Sequence, residues 1–147
     1  MDIKVLTYDD DLWQSVSEYA NNCSWQETGA YLSNLMKNNE FSDWERVFVA
    51  LINDHIAGYC TLSKNSKSFG DAYSPNIGFV FVGEPYRGNR VSEKLCLFAT
   101  EYAKSIGYNK AYLYSEHVNL YEKYGFLKIA EREAPWGAVQ SIFMRYT

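Results

Sequence analysis

The sequence predicts a single α/β domain, residues 1–147, in which about six to seven strands are flanked by helices. Three observations carry that prediction. Asn76–Val82 is apolar with few polar residues on either side, as a central strand covered on both faces requires. Val91, Leu95, Phe98, Ala99, Tyr102, Ala103 and Ile106 recur at i, i+4, i+7, i+8, i+11, i+12 and i+15, which is one stripe of a long helix. At 147 residues and 47% hydrophobic content, the chain can bury one full core but hardly two.

The elements follow in order. Residues 3–7 alternate as a strand. Asp9, Asp10 and Asp11 then supply an N-cap and first-turn acids for a helix to about Asn21, with Leu12, Trp13, Val16, Tyr19 and Ala20 at helical spacing. Ser24-x-x-Glu27 has the form of a capping box, which predicts a second helix to about Lys37. The polar stretch 38–43 closes that region. Arg46–Ile52 and His55–Ser63 are β-rich runs, and Asn53-Asp54 between them suits a two-residue hairpin turn because both residues tolerate positive φ. A polar loop, 64–74, leads into the central strand. The long helix stops at Gly107, a residue suited to a left-handed cap. Residues 111–115 make a further strand, 119–124 a short helix, and Gly125 its stop. Residues 127–133 and 140–146 read as a final pair of strands joined by Ala134-Pro135-Trp136-Gly137. There is no internal repeat and no linker of disordered composition.

Between the central strand and the long helix runs Tyr86-Arg87-Gly88-Asn89-Arg90-Val91-Ser92-Glu93-Lys94-Leu95. A basic, glycine-containing turn where strand becomes helix is a candidate anion cradle, because free N–H groups and the positive end of the helix dipole point to one place. A P-loop is excluded, since no Gly-Lys-Ser/Thr follows the glycine.

Composition narrows the partners. A net charge of −4 argues against nucleic acid, which needs a basic face to displace counterions, and fits a cationic partner better. Thirteen Tyr and four Trp exceed what a core of this size needs and hint at a concave ligand surface. Cys23, Cys60 and Cys96 are odd in number, far apart and without C-x-x-C spacing, so they read as reduced thiols of a cytoplasmic protein. No His, Cys, Asp or Glu cluster has metal-ligand spacing, so no metal is expected. The first residues lack the pattern of a signal peptide, and no apolar run approaches the ~20 residues that cross a bilayer. No membrane partner is expected.

In element order and in two motifs the chain resembles the GCN5-related N-acetyltransferase (GNAT) superfamily. The resemblance covers essentially the whole chain and is most specific over residues 77–126. The family's acetyl-CoA signature, Gln/Arg-x-x-Gly-x-Gly/Ala, falls on Arg87-Gly88-Asn89-Arg90-Val91-Ser92, where Arg87 matches and Arg90 and Ser92 replace the two small residues. Arginine there must point away or join in binding the phosphates. The second motif, Tyr121-Glu122-Lys123-Tyr124-Gly125-Phe126, matches the family's Tyr-Glu-Lys-x-Gly-Phe at every specified position.

The resemblance implies a mixed, mostly antiparallel central sheet and acetyl-CoA as co-substrate. It implies that the main chain of Phe81 and Val82, with Val80 nearby, pairs with the pantetheine arm as an added strand would. The pyrophosphate would lie against Gly88, Asn89, Arg90, Val91 and Ser92, with Arg87 and Asn119 also in reach. A neutral amine would attack the thioester directly. A backbone N–H near Val82 would then stabilise the oxyanion, and Tyr121 would protonate the departing thiolate. For the general base, family members often carry a glutamate on the strand corresponding to Asn76–Val82, but that run holds no acid. His117, Glu116, Asp71 or a relayed water remain as candidates. Trp25, Glu27 and Tyr31, with Tyr73 and Trp136, lie on segments that the family places around its amine; His55, in the hairpin, reads as structural.

The expected function is acetyl-CoA-dependent N-acetyl transfer to a primary amine of a small molecule or a peptide. The alternatives are a non-catalytic acyl-CoA-binding module and an interaction domain that keeps only the fold. A homodimer is a further expectation, since dimers are common in this family.

Overall fold

The computed structural model describes residues 1–66 and 68–147. Its elements are β1 (Asp2–Leu6), α1 (Asp11–Asn21), α2 (Gln26–Lys37), β2 (Arg46–Ile52), β3 (His55–Ser63), β4 (Asn76–Val82), α3 (Val91–Ser105), β5 (Lys110–Ser115), β6 (Leu127–Glu133) and β7 (Val139–Tyr146). Two 3₁₀ helices, Glu84–Tyr86 and Tyr121–Tyr124, sit after β4 and β5. The seven strands form one sheet in the order β1-β2-β3-β4-β5-β7-β6. Every neighbouring pair is antiparallel except β4 with β5. This is the mixed, mostly antiparallel sheet with flanking helices that the family resemblance implies.

The period-2 alternation of the strands divides the core between the two faces. On β2, Phe48 and Ala50 face α3 together with Cys60, Ile77, Leu95, Ala99 and Phe143, while Val47 and Val49 face α1 and α2 with Trp13, Leu32, Met36, Tyr59 and Phe81. Helix α3 covers its face with the predicted stripe, broadened by the buried Cys96 and Thr100, because a helix lying on a sheet needs a wider apolar face than a seam. Gly107, at φ 101°, ends it. Tyr108 N–H donates to the Ala103 carbonyl and Gly107 N–H to that of Lys104, each at 3.0 Å, which is a Schellman closure. The β2–β3 turn also forms as read, with Asn53 and Asp54 at φ 51° and 65°.

Two local expectations fail. The capping box does not form: α2 starts at Gln26 with Trp25 as its N-cap, and no side chain caps it. Tertiary contacts set this corner instead. Trp25 packs edge-on against Phe81 at 5.4 Å, and a Cβ on Gly29 would stand only 2.0 Å from the Ala20 carbonyl oxygen, so α1 and α2 close together there as only glycine permits. The segment 119–124 is not an α-helical start at Asn119. Asn119 is left-handed, at φ 63°, and the 3₁₀ turn begins at Tyr121 because Gly125, four residues on, is already left-handed and leaves room for one turn. Among the described residues, no helix is long and apolar enough to cross a membrane.

Candidate active site

The parallel pair β4–β5 is where the sheet opens. Their register consists of Asn76 opposite Tyr112, supported by Tyr112 N–H donating to the Pro75 carbonyl at 3.0 Å, and no ladder joins them beyond it. The outer edge of β4 therefore faces a gap. On its inner side, Val82 pairs with Gly58 and Phe81 with Tyr59, and Gly83 N–H donates to the Ala57 carbonyl at 2.8 Å. Antiparallel pairs alternate between bonded and unbonded. Residue 83 is bonded to β3, so the N–H and C=O of Val82 turn away from it and into the gap. The main chain of Phe81 turns back to β3, where its carbonyl lies 2.4 Å from the site of a Gly58 Cβ. Of the two residues expected to offer main-chain groups, Val82 does so.

The cradle lies at the end of that gap. Gly88 is left-handed at φ 84°, with nothing within 4 Å of a built Cβ. Arg90 is the N-cap of α3 and is itself left-handed at φ 62°, ψ 24°. The first helical bond is Lys94 N–H to the Arg90 carbonyl, 3.1 Å. Among the described residues, the N–H groups of residues 88–92 have no protein acceptor, as an anion site at a helix start requires. Arg87 braces the corner: its Nε donates to the Val82 carbonyl at 3.0 Å, and its guanidinium stands 5.9 Å from the centre of the Phe81 ring. Asn89 Nδ2 donates to the Tyr86 carbonyl at 3.2 Å. The Arg90 side chain is exposed and reaches Glu93 Oε1 at 3.5 Å, so it does not fill the cradle. Ser92 Oγ is 3.0 Å from the Tyr124 hydroxyl, which ties the start of α3 to the 3₁₀ turn that carries the second motif.

Tyr121 sits beneath that turn, 6% exposed, with its ring against Tyr124, Phe126 and Phe143. Burial pushes its phenol pKa up. The neighbouring Cys96 thiol and the Tyr124 hydroxyl add to this, the Ser115 hydroxyl pulls it down, and Cys60 adds a further small rise. The phenol is thus firmly protonated at neutral pH.

Tyr121 also lines a cleft of about 910 Å³ on the α2 side of the sheet. Trp25 at the N-cap of α2, Tyr31 within it, Val80 from β4, Ser115 at the end of β5, Glu116 and His117 after it, and Trp136 and Gln140 line it as well. The expected acceptor-side residues Trp25, Tyr31 and Trp136 are thereby brought together with Tyr121, His117 and Glu116. Glu27, Tyr73 and Asp71 are not on this wall: Glu27 and Asp71 are exposed, and Tyr73 packs between Phe69 and Tyr112. Asn119 is exposed in the loop ahead of Tyr121 and does not line the cleft. His117 is exposed, its ring 6.4 Å from that of Tyr121, and its backbone N–H donates to Ser115 Oγ at 3.0 Å. His55 is exposed at the head of β3, outside the cleft. Sequence reading missed Ser115, Gln140 and the buried Asn76; a polar residue heading an otherwise apolar central strand was the available signal.

A splayed β4–β5 pair with an outward Val82 N–H, an unpartnered N–H cradle at the start of α3 and a buried tyrosine lining the cleft suit an acyl-transfer site. Residues 10–126 match the family model "Acetyltransferase (GNAT) family", and the chain belongs to that family. Acetyl-CoA is accordingly its co-substrate, and the cradle and gap fit it: Gly88 leaves open space, and the N–H groups of Val82 and of residues 88–92 have no protein acceptor among the described residues. No curated protein matches the sequence significantly. Among solved structures, the aminoglycoside 6'-N-acetyltransferase from Enterococcus faecium is similar at TM-score 0.76 and 14% identity, over 99% of this chain and 97% of that one. An aminoglycoside 6'-N-acetyltransferase complexed with coenzyme A gives 0.74 and 14%, over 99% and 97%. A mutant spermidine N-acetyltransferase from Vibrio cholerae gives 0.67 and 15%, over 99% and 92%. At such identities the likeness establishes the shared fold.

Proposed function

We propose that this chain is an acetyl-CoA-dependent N-acetyltransferase that moves an acetyl group to a primary amine of a small molecule or peptide by direct attack. The single observation that supports it best is the convergence of Val82's outward N–H, the 88–92 cradle and Tyr121 on the β4–β5 gap. Acetyl-CoA supplies the activated acyl group. The chain's own residues do the rest. The unpartnered N–H groups of residues 88–92 hold the phosphates, and Val82's N–H gives a hydrogen bond to the oxygen that gathers negative charge. Tyr121 donates its proton to the leaving sulfur, and the Ser115 hydroxyl moderates how tightly that proton is held. His117 and Glu116, on the cleft wall beside Tyr121, are the groups placed to take a proton from the incoming ammonium, directly or through water. Asp71, off that wall, is the weaker candidate. The relatives of this fold include enzymes named for aminoglycosides and for spermidine, and a cationic small-molecule amine suits a net charge of −4.

The absence of any carboxylate on β4 favours one second reading, a module that binds acyl-CoA without turnover. Calorimetric titration with acetyl-CoA, run beside a thiol-release assay over a panel of primary amines, separates them. Binding with amine-dependent thiol release supports the enzyme. Binding without release supports the module, and no binding rejects both.

A further inference from the structure

Phe79 holds a backbone conformation that its side chain disfavours. It lies inside β4 at φ 52°, in the left-handed region. Among the described residues, every other non-glycine residue at positive φ is Asn or Asp, which tolerate it, or Arg90 at the head of α3. A bulky ring at such a φ is an outlier, and outliers persist only where the surroundings hold them. Glycine suits this position best, yet the glycine of β4 stands one residue earlier, at Gly78, where φ is not positive.

The register shows what the conformation does. Tyr59 pairs with Phe81 and Thr61 with Gly78, so Phe79 and Val80 together stand opposite Cys60. This is a β-bulge, and bulges re-aim the side chains they carry. The Phe79 ring is turned to the α2 side, where it stacks on Tyr31 with ring centres 6.0 Å apart and planes 18° from parallel. Both rings line the cleft that Tyr121 and His117 also line. Phe79 is half-buried and Tyr31 is 39% exposed, so the pair forms a wall rather than a sealed core contact. Leu35, one turn along α2 from Tyr31, and Phe41 extend that wall. A ring kept on a strained backbone for packing alone would be buried; this one stays on the cleft surface.

Distance sets the part of an acceptor that the wall can touch. Phe79 is three residues from Val82, which is roughly 10 Å at the ~3.3 Å rise of a strand, shortened somewhat by the bulge. The ring is therefore too far away to meet the reacting nitrogen, and what it meets is the body of the amine. A stacked aromatic pair offers apolar area and, apart from the Tyr31 hydroxyl, no hydrogen-bonding group. The ammonium has Glu116 and His117, after β5, to turn to.

Resting on the N-acetyltransferase reading, we infer that Phe79 is a specificity-determining residue: with Tyr31 it forms the wall that receives a flat, apolar body of the acceptor amine, and β4 keeps a strained backbone because the ring is needed there. An amine that lacks such a body leaves the wall uncovered and gains nothing from it.

The test uses 2-phenylethylamine and ethylamine, which carry the same reacting group with and without a flat body. Acetyl transfer is followed by thiol release, and binding of each amine by calorimetry in the presence of CoA. Wild type should favour 2-phenylethylamine by about tenfold or more in kcat/KM. Phe79→Gly, Phe79→Ala and Tyr31→Ala should each lower that ratio by about fivefold or more, through the KM of the amine rather than kcat, and Phe79→Tyr, which keeps a ring, should hold it within about twofold. Tyr31→Ala, on a helix face, tests the wall without touching β4. In urea, Phe79→Gly should unfold about 0.5 M above Phe79→Ala, because both lose the ring and only alanine keeps the strain; equal midpoints overturn the strained backbone. A ratio unmoved by every variant, or equal use of ethylamine by wild type, overturns the wall while leaving the transferase reading intact. Ring-dependent binding of 2-phenylethylamine with no acetyl transferred to either amine upholds the wall and rejects the transferase reading, and no binding of 2-phenylethylamine at all overturns the wall outright.

Discussion

Arg90 occupies a left-handed backbone position, φ 62° and ψ 24°, at the N-cap of α3, where the family signature places a small residue. An L-residue pays about 1–2 kcal/mol for that conformation and glycine does not, although glycine's extra freedom in the unfolded chain takes back part of the difference. The Arg90 side chain contributes little in return: it is 79% exposed, and its 3.5 Å contact with Glu93 contributes only a few tenths of a kcal/mol. Comparing Arg90→Gly with Arg90→Ala isolates the backbone, because both lose the Glu93 contact and only alanine keeps the strain. We expect the glycine variant to be more stable than the alanine variant by about 1 kcal/mol. With a urea m-value near ~2 kcal/mol/M, that is roughly 0.5 M in the unfolding midpoint, at unchanged slope. Acetyl-CoA affinity of Arg90→Gly should be preserved or weakened. Equal midpoints would refute the strained backbone, and markedly tighter acetyl-CoA binding would refute a side chain that stands clear of the cradle.

Three further outcomes are expected. Tyr121→Phe should lower turnover by about 10²-fold or more while acetyl-CoA affinity stays within about twofold, and unaltered turnover in a steady-state assay would remove Tyr121 from the acid role. Burial pushes the Cys96 thiol up from 9.0 to about 12, so the folded chain holds its proton where the unfolded chain loses it; stability present below pH 9 is lost as pH rises toward 12. By about pH 10.5 the loss from Cys96 is about 2 kcal/mol at ~1.4 kcal/mol per unit, and Cys96→Ala should flatten that part of the urea-midpoint profile; a profile as steep as wild type would contradict it. Gly29→Ala should destabilise by about 2 kcal/mol or more in thermal unfolding, because the new Cβ would meet the Ala20 carbonyl at 2.0 Å, and the ~1 kcal/mol gain in helix propensity cannot offset that. A stabilised variant would mean that α1 and α2 lie further apart.

What the sequence shows plainly is what periodicity and local turn chemistry encode. The stripe of α3, the Gly107 closure and the Asn53-Asp54 hairpin each depend on residues adjacent along the chain or helix, and all form as read. The α2 corner was not legible, because Trp25 and Gly29 are fixed by Phe81 and Ala20 rather than by their neighbours in sequence. Arg90's left-handed backbone was hidden for a related reason: arginine advertises charge, not conformation. The cleft floor was the least legible part. Asn76 and Gln140 share a face only because β7 inserts between β5 and β6, a pairing order that no local pattern announces. The two motifs were legible because each is a short local device, a helix start and a tight turn, and the Ser92–Tyr124 contact at 3.0 Å joins them.

A single-turnover experiment with intact-mass analysis bears most directly on direct acetyl transfer. The chain is mixed with acetyl-CoA alone and then with a primary amine, and both protein and amine are weighed. Direct attack requires that the chain never gain an acetyl group and that the amine gain one, at a rate reduced by Tyr121→Phe. An acetylated chain that forms first and decays into product would contradict direct attack across the β4–β5 gap, and an amine that stays unmodified while acetyl-CoA is bound would contradict catalysis altogether.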